Sequence, residues 1–110
     1  MSVYLWGATV TSYKAASGQE LLFLSSKAVF DGTKPIRGGI PVVFPQFAAQ
    51  GPLPMHGFAR TSVWSLLHVS DGVVELGLSD TDATRAVWPH AFNLVYRIQF
   101  SAAQLMTTLE

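Results

Sequence analysis

Ser62-Val-Trp-Ser-Leu-Leu-His-Val-Ser70, Asp71-Gly72, Val73-Val-Glu-Leu-Gly-Leu-Ser79 is the stretch that decides the fold. Two runs rich in apolar and β-branched residues meet at Asp-Gly, a dipeptide that accepts the positive φ values of a tight two-residue turn. A β-hairpin is the expected result. Further along, Asp80 to Trp88 opens with capping residues and stops at Pro89, enough for a short helical turn at most. Phe92 to Ser101 then sets Phe92, Leu94, Tyr96, Ile98 and Phe100 against Asn93, Val95, Arg97 and Gln99, the alternation of a half-buried strand. Leu105 to Glu110 reads as its hairpin partner.

Toward the N-terminus, Val3 to Tyr13 is β-branched and aromatic and reads as a strand, with Gly7 marking a bulge or a close backbone approach. Lys14 to Gln19, with Ser17-Gly18 at its tip, is a turn, and Glu20 to Ser25 is short enough to be a buried strand. Between these outer parts lies Asp31 to Gly57, which holds five of the six prolines and five of the nine glycines. Such punctuation interrupts ladder pairing. Ile40, Val42, Val43, Phe44 and Phe47 make the segment too apolar for disorder, so a long ordered loop region carrying function is expected. About six strands, little helix and no internal repeat give an all-β antiparallel sandwich or barrel.

The chain has 110 residues, seven Lys plus Arg against seven Asp plus Glu, three His, no Cys, 49% hydrophobic and 13% charged residues. One domain fits this length and a second does not. Zero net charge without a Lys/Arg block disfavours nucleic acid and anionic membranes as partners. No apolar run approaches the length of a membrane span, and the start lacks a basic segment before its apolar residues, so a soluble chain is expected. The lack of cysteine removes disulfides, thiolate zinc sites and thiol nucleophiles, and makes the cytoplasm the expected compartment.

The densest polar cluster is Lys34, Arg37, Gln46, His56 and Arg60, set among glycines and prolines. Arg37-Gly38-Gly39 puts a guanidinium beside residues able to turn backbone N–H groups toward an anion, and Arg suits planar phosphate or carboxylate recognition. A plain turn with a solvated Arg37 is the competing reading. His56-Gly57-Phe58-Ala59-Arg60 follows the rigid Gly51-Pro52-Leu53-Pro54 and reads either as a site or as a structural His with a stem-packed Arg. His68 reads as a surface or hairpin residue, and His90, after Trp88-Pro89, either lines a site or bridges a turn, the turn being the favoured reading. Trp6, Trp64 and Trp88 are expected to serve the core rather than stack a sugar. The spacing of His and acidic residues gives no metal site.

Phe30-Asp31-Gly32, Lys34 through Pro41 (Lys-Pro-Ile-Arg-Gly-Gly-Ile-Pro), Phe44-Pro45-Gln46-Phe47, Gly51-Pro52-Leu53-Pro54 and His56 through Arg60 resemble, in this order, the glucose-6-phosphate 1-epimerase (hexose-6-phosphate mutarotase) family. Trp64, Trp88-Pro89-His90 with Phe92, and Val3 through Ala8 extend the resemblance over essentially the whole chain. It implies the galactose mutarotase-like supersandwich, of which residues 1–110 would be the N-terminal, incomplete part. It further implies exchange of α and β anomers at C1 of a hexose 6-phosphate, with no cofactor.

Carried over by motif, Arg37 and Arg60 would bind the 6-phosphate and Gln46 and His56 the sugar, with Lys34 a lesser candidate for the phosphate. Two departures stand out: Met55 where Gln is common before His-Gly, and Ala48-Ala49 where Gly usually follows Phe47. The family's catalytic His, in a His-Thr-Tyr-Phe-like stretch, and its catalytic Glu lie beyond Thr108-Leu109-Glu110, so no catalytic residue is assigned here. The resemblance thus predicts ligand-binding residues without the acid–base pair, and a partial sandwich whose exposed strand edges favour self-association. A noncatalytic carbohydrate-phosphate binding module and an inactive truncation are the alternatives.

Overall fold

The computed structural model describes residues 1–110. Its dominant feature is an antiparallel four-stranded sheet in the order β3-β4-β5-β6, formed by Ser65–Ser70, Val73–Ser79, Asn93–Phe100 and Leu105–Leu109. The expected hairpin forms at Asp71-Gly72, where Gly72 has φ +71° and Ser70 faces Val73. The turn chemistry fixes the register, and the register decides which face is buried. Across β4 and β5 the pairs Val74–Ile98, Leu76–Tyr96 and Leu78–Leu94 fall on one face, and all six side chains are buried. Glu75 faces Arg97 on the other side, where their side chains form an ion pair at 3.4 Å.

A second layer closes over this face. β1 (Ser2–Tyr4) and β2 (Thr9–Ser12) form a two-stranded antiparallel sheet. Ala8 and Val10 from this layer join Val42, Ala59, Trp64 and the six sheet residues in one apolar core. Trp64, Leu76 and Ile98 are its largest fully buried side chains, each contributing on the order of 1.5–3 kcal/mol by removal from water. The buried Trp64 indole is satisfied by donation to Ala59 O at 2.9 Å.

Three expectations are corrected in detail. The single strand expected over Val3 to Tyr13 is two strands, because Gly7 (φ +74°) and Ala8 (φ +51°) turn the chain back on itself. Glu20 to Ser25 does not become a strand and keeps only single bridges, Lys14 with Glu20 and Leu24 with Gly38. Its apolar run is instead mostly at the surface, with Leu21, Phe23 and Leu24 exposed. The helical turn is a real helix, α1 (Asp82–Val87), opened by a reciprocal box in which Thr81 and Thr84 each bond the other's backbone N–H.

Candidate functional site

Residues 31–61 run without regular strands, with a 3-10 turn at Ala59–Thr61, and side-chain hydrogen bonds and close backbone contacts hold them against the two-layer core. At Gly39 (φ +64°) a Cβ would stand 2.1 Å from Val10 O, so only glycine lets the chain lie this close to β2. There Gly39 N donates to Phe23 O at 2.7 Å and Ile40 N to Val10 O at 2.9 Å. Clamped on both sides, the turn fixes the backbone at Arg37, whose carbonyl accepts from Ser25 N at 3.0 Å. The Trp6 indole, expected as core, is only half-buried and donates to Lys34 O at 2.7 Å, tying the basic loop to the β1–β2 layer.

Lys34, Arg37 and Arg60 converge on one open depression of about 520 Å³, which Gly38, Gly39 and Met55 help to line. Its lining carries three cations and no carboxylate. The ion pairs of the molecule engage Arg85, with Asp80 and Asp82, and Arg97, with Glu75, and leave these three cations uncompensated. Asp31, the acid closest in sequence, is already engaged: the hydroxyl and amide of Thr33 hold its carboxyl below the ordinary range, with Lys34 a lesser cause. Arg60 spends Nη2 on Met55 O at 3.1 Å, and its Nε is buried without a partner. An unpartnered N–H of a charged group is costly, and an anion beside the guanidinium would offset that cost.

His56 and Gln46 stand apart from this depression's lining. His56 is half-buried with φ +64°, its ring 5.5 Å from that of Phe47, and its Nδ1 accepts from Ala48 N at 3.0 Å. The neutral ring therefore carries its proton on Nε2, which has no partner in the chain. Gln46 is buried, and its amide bonds to the backbone of residues 48–54. The structure thus brings together the three expected cations, leaves His56 with a free donor and turns Gln46 inward. His68 is exposed and 3.1 Å from Ser70 Oγ, and His90 packs on Trp88 while its N–H donates to Trp88 O, so both keep the local roles expected of them.

Two residues have structural roles that the sequence did not assign to them. Trp6 sits beside Gly7, a signal for close backbone approach, although its partner 28 positions away is not legible locally. Ala48 takes φ +48°, which alanine itself does not announce; its signal was the Gly that usually follows Phe47 in the family the sequence resembles.

Residues 1–110 match the sequence profile of the aldose 1-epimerase family. A protein of Cenchrus ciliaris, provisionally named glucose-6-phosphate 1-epimerase, is 45% identical over 105 residues, covering 87% of this chain and 32% of the relative. A crystal structure from Salmonella typhimurium, provisionally described as a mutarotase, superposes with a TM-score of 0.75 at 39% identity over 88% of this chain and 35% of its own. A galactose mutarotase related enzyme from Lactobacillus acidophilus shares the fold, with a TM-score of 0.82 at 21% identity over 97% of this chain and 38% of that one. The chain spans about a third of the length of these relatives. The galactose mutarotase-like β architecture, here with incomplete sheets, is therefore common to this chain and the two solved structures. Since the profile match runs from the first residue to the last, this chain belongs to the aldose 1-epimerase family.

Proposed function

We propose that this chain forms the phosphate- and sugar-recognising part of a hexose-6-phosphate 1-epimerase, with glucose 6-phosphate as its ligand. The observation that carries this reading is the convergence of Lys34, Arg37 and Arg60, all outside ion pairs, on one depression in a chain of zero net charge. A phosphate monoester is close to dianionic at neutral pH and offers three acceptor oxygens. Guanidinium forks from Arg37 and Arg60 match that geometry, and Lys34 adds a point charge. The His56 Nε2–H supplies a neutral donor for a sugar hydroxyl.

Anomer exchange needs a base to take the C1 hydroxyl proton and an acid to protonate the ring oxygen; the ring opens, C1–C2 rotates and closure follows on the other face. The residues described here bind and orient. The cavity's lack of a carboxylate also favours a second reading, recognition without chemistry. No helix is long and apolar enough to cross a membrane, and a cysteine-free chain suits the cytoplasm we propose for it. Self-association through the outer edges of β3 and β6 belongs to the same proposal, supported by the apolar exposure of β3.

Calorimetric titration with glucose 6-phosphate, inorganic phosphate and glucose tests the reading. Glucose 6-phosphate should bind best, weaken as salt is raised, and lose about 10- to 100-fold in affinity on Arg37→Ala or Arg60→Ala, the worth of a charge-assisted hydrogen bond. Binding no tighter than that of glucose, or indifferent to both arginines, sinks it. NMR exchange spectroscopy of the α and β anomers, with this chain and with any longer native polypeptide containing it, separates the epimerase from the binding module.

A further inference from the structure

Gln46 was expected to touch sugar, yet its side chain is 8% exposed and faces its own loop. Oε1 accepts from Leu53 N at 2.8 Å, while Nε2 donates to Ala48 O at 2.7 Å and Leu53 O at 2.9 Å, with Pro54 O at 3.3 Å. Two amide hydrogens are thus shared among three carbonyls, and none is left for a ligand. The Ala48 backbone links this amide to His56. Its carbonyl, held by Gln46, also accepts from His56 N at 3.0 Å, and its N–H donates to His56 Nδ1 at 3.0 Å. Ala48 (φ +48°) and His56 (φ +64°) both sit in the left-handed region, which non-glycine residues hold only where the surroundings over-determine it. Met55, the residue before His56, lines the cation depression, and its carbonyl accepts from Arg60. The loop braced by Gln46 therefore joins the imidazole to the phosphate-binding cations through one peptide.

We propose that Gln46 is a positioning residue acting through His56: by pinning Ala48 at its carbonyl it fixes the residue whose N–H holds the imidazole as an Nε2–H donor for a sugar oxygen, without itself contacting the sugar. This rests on the sugar-phosphate reading above and changes the part of Gln46 from contact to support.

Two measurements decide it, on the wild-type chain and on Gln46→Ala, His56→Ala and the double variant. The first is NMR of the ligand-free chain. The Ala48 amide should exchange slowly and His56 Nδ1 should show as an unprotonated acceptor, with both signatures lost in Gln46→Ala while the amides of β3–β6 stay in place. Should Gln46→Ala fail to fold, Gln46→Glu keeps the acceptor and the shape, removes both donors and should lose the same signatures. The second is affinity. Gln46→Ala and His56→Ala should each weaken glucose 6-phosphate about tenfold, the double variant no further than the larger of the two single losses, and inorganic phosphate, which makes no use of the imidazole, should bind His56→Ala as it binds the wild-type chain.

Additive losses would make Gln46 a direct sugar contact and overturn the proposal, as would unchanged Ala48 and His56 signals in Gln46→Ala. A wild-type chain that does not bind glucose 6-phosphate defeats the sugar-phosphate reading and the donor role together. In that case the ring measurement still decides whether Gln46 fixes His56.

Discussion

Between Ser65 and Leu109 the backbone hydrogen bonds run from strand to strand in antiparallel ladders, shifted once in register between Leu66 and His68, and alternate side chains of β4 and β5 fill one core. Between Asp31 and Thr61 the chain makes only single bridges, and it is held by contacts such as Gly39 against Val10, Trp6 on Lys34 O and the Gln46 amide on its loop. The first region gains stability from repetition, so many small terms add. The second is fixed by a few unique contacts, and this leaves its cations free to face outward. Binding groups sit on irregular backbone because a regular strand would put them at a fixed spacing on a fixed face.

The comparison is sharpest where a single residue is removed from each region. Leu76 is fully buried at the centre of the sheet, and Leu76→Ala should cost about 2–5 kcal/mol, seen as a large fall in the urea midpoint. A domain of this size has only about 5–15 kcal/mol to lose. Gly39→Ala should act differently. It forces a side chain into the left-handed region and against Val10 O, a strain on the order of 1–3 kcal/mol before any steric clash is counted. The expected outcome is loss of glucose 6-phosphate binding with the amide pattern of β3–β6 intact in NMR. If Gly39→Ala unfolds the sheet as well, the two regions are one cooperative unit and the contrast fails.

These two variants also mark what was legible in the sequence. Leu76 lies in the Val73 to Ser79 run, where Asp71-Gly72 set the register and alternation gave the buried face, so local rules sufficed. The cluster of prolines and glycines in Asp31 to Gly57 announced an irregular region, and its cations Lys34 and Arg37 do converge with Arg60, just beyond it. What local rules missed depends on distant partners. Leu21, Phe23 and Leu24 looked like a buried strand, but burial requires a facing layer, which this chain does not provide there. The inward turn of Gln46, which the resemblance gave to the sugar, was not legible because its acceptors, Ala48 O, Leu53 O and Pro54 O, become neighbours only after the loop closes.

A smaller effect concerns the sheet's boundary. β3 is an edge strand with every residue exposed, including Leu66, Leu67 and Val69. An apolar edge with unpaired N–H and C=O groups is a template for further pairing. Sedimentation velocity should show concentration-dependent association of the chain, reduced by Val69→Lys, which puts a charge on that edge without touching the core. A monomer at all concentrations, with a sharp concentration-independent urea transition, would show that this edge needs no cover.

The smallest expected effect returns to the layer that carries the loop. Glu20 accepts from Ser12 Oγ, from Tyr13 N at 2.9 Å and from Leu22 N at 3.2 Å, and these bonds, led by that from Ser12, lower its carboxyl from 4.5 to about 2. A carboxylate depressed in the folded chain favours folding above its unfolded value, and the contribution fades as pH falls from there through the folded value. The contact from β2 to the Glu20–Leu22 segment should therefore be whole above about pH 4.5 and lost on acidification toward pH 2. The amide signals of Tyr13 and Leu22 should report that loss, and Glu20→Gln should flatten it. Because this carboxylate is fully exposed, solvent screening limits what its titration does to global unfolding. The consequence to look for is local: Phe23, three residues on, accepts from Gly39 N, so acidification that frees Glu20 should loosen the Gly38-Gly39 turn and weaken phosphate binding, before the sheet melts, more steeply than in Glu20→Gln, where only the protonation of phosphate itself acts. A fall in phosphate affinity equally steep in the wild-type chain and in Glu20→Gln would instead show that the turn's grip on Val10 suffices without the Glu20 segment.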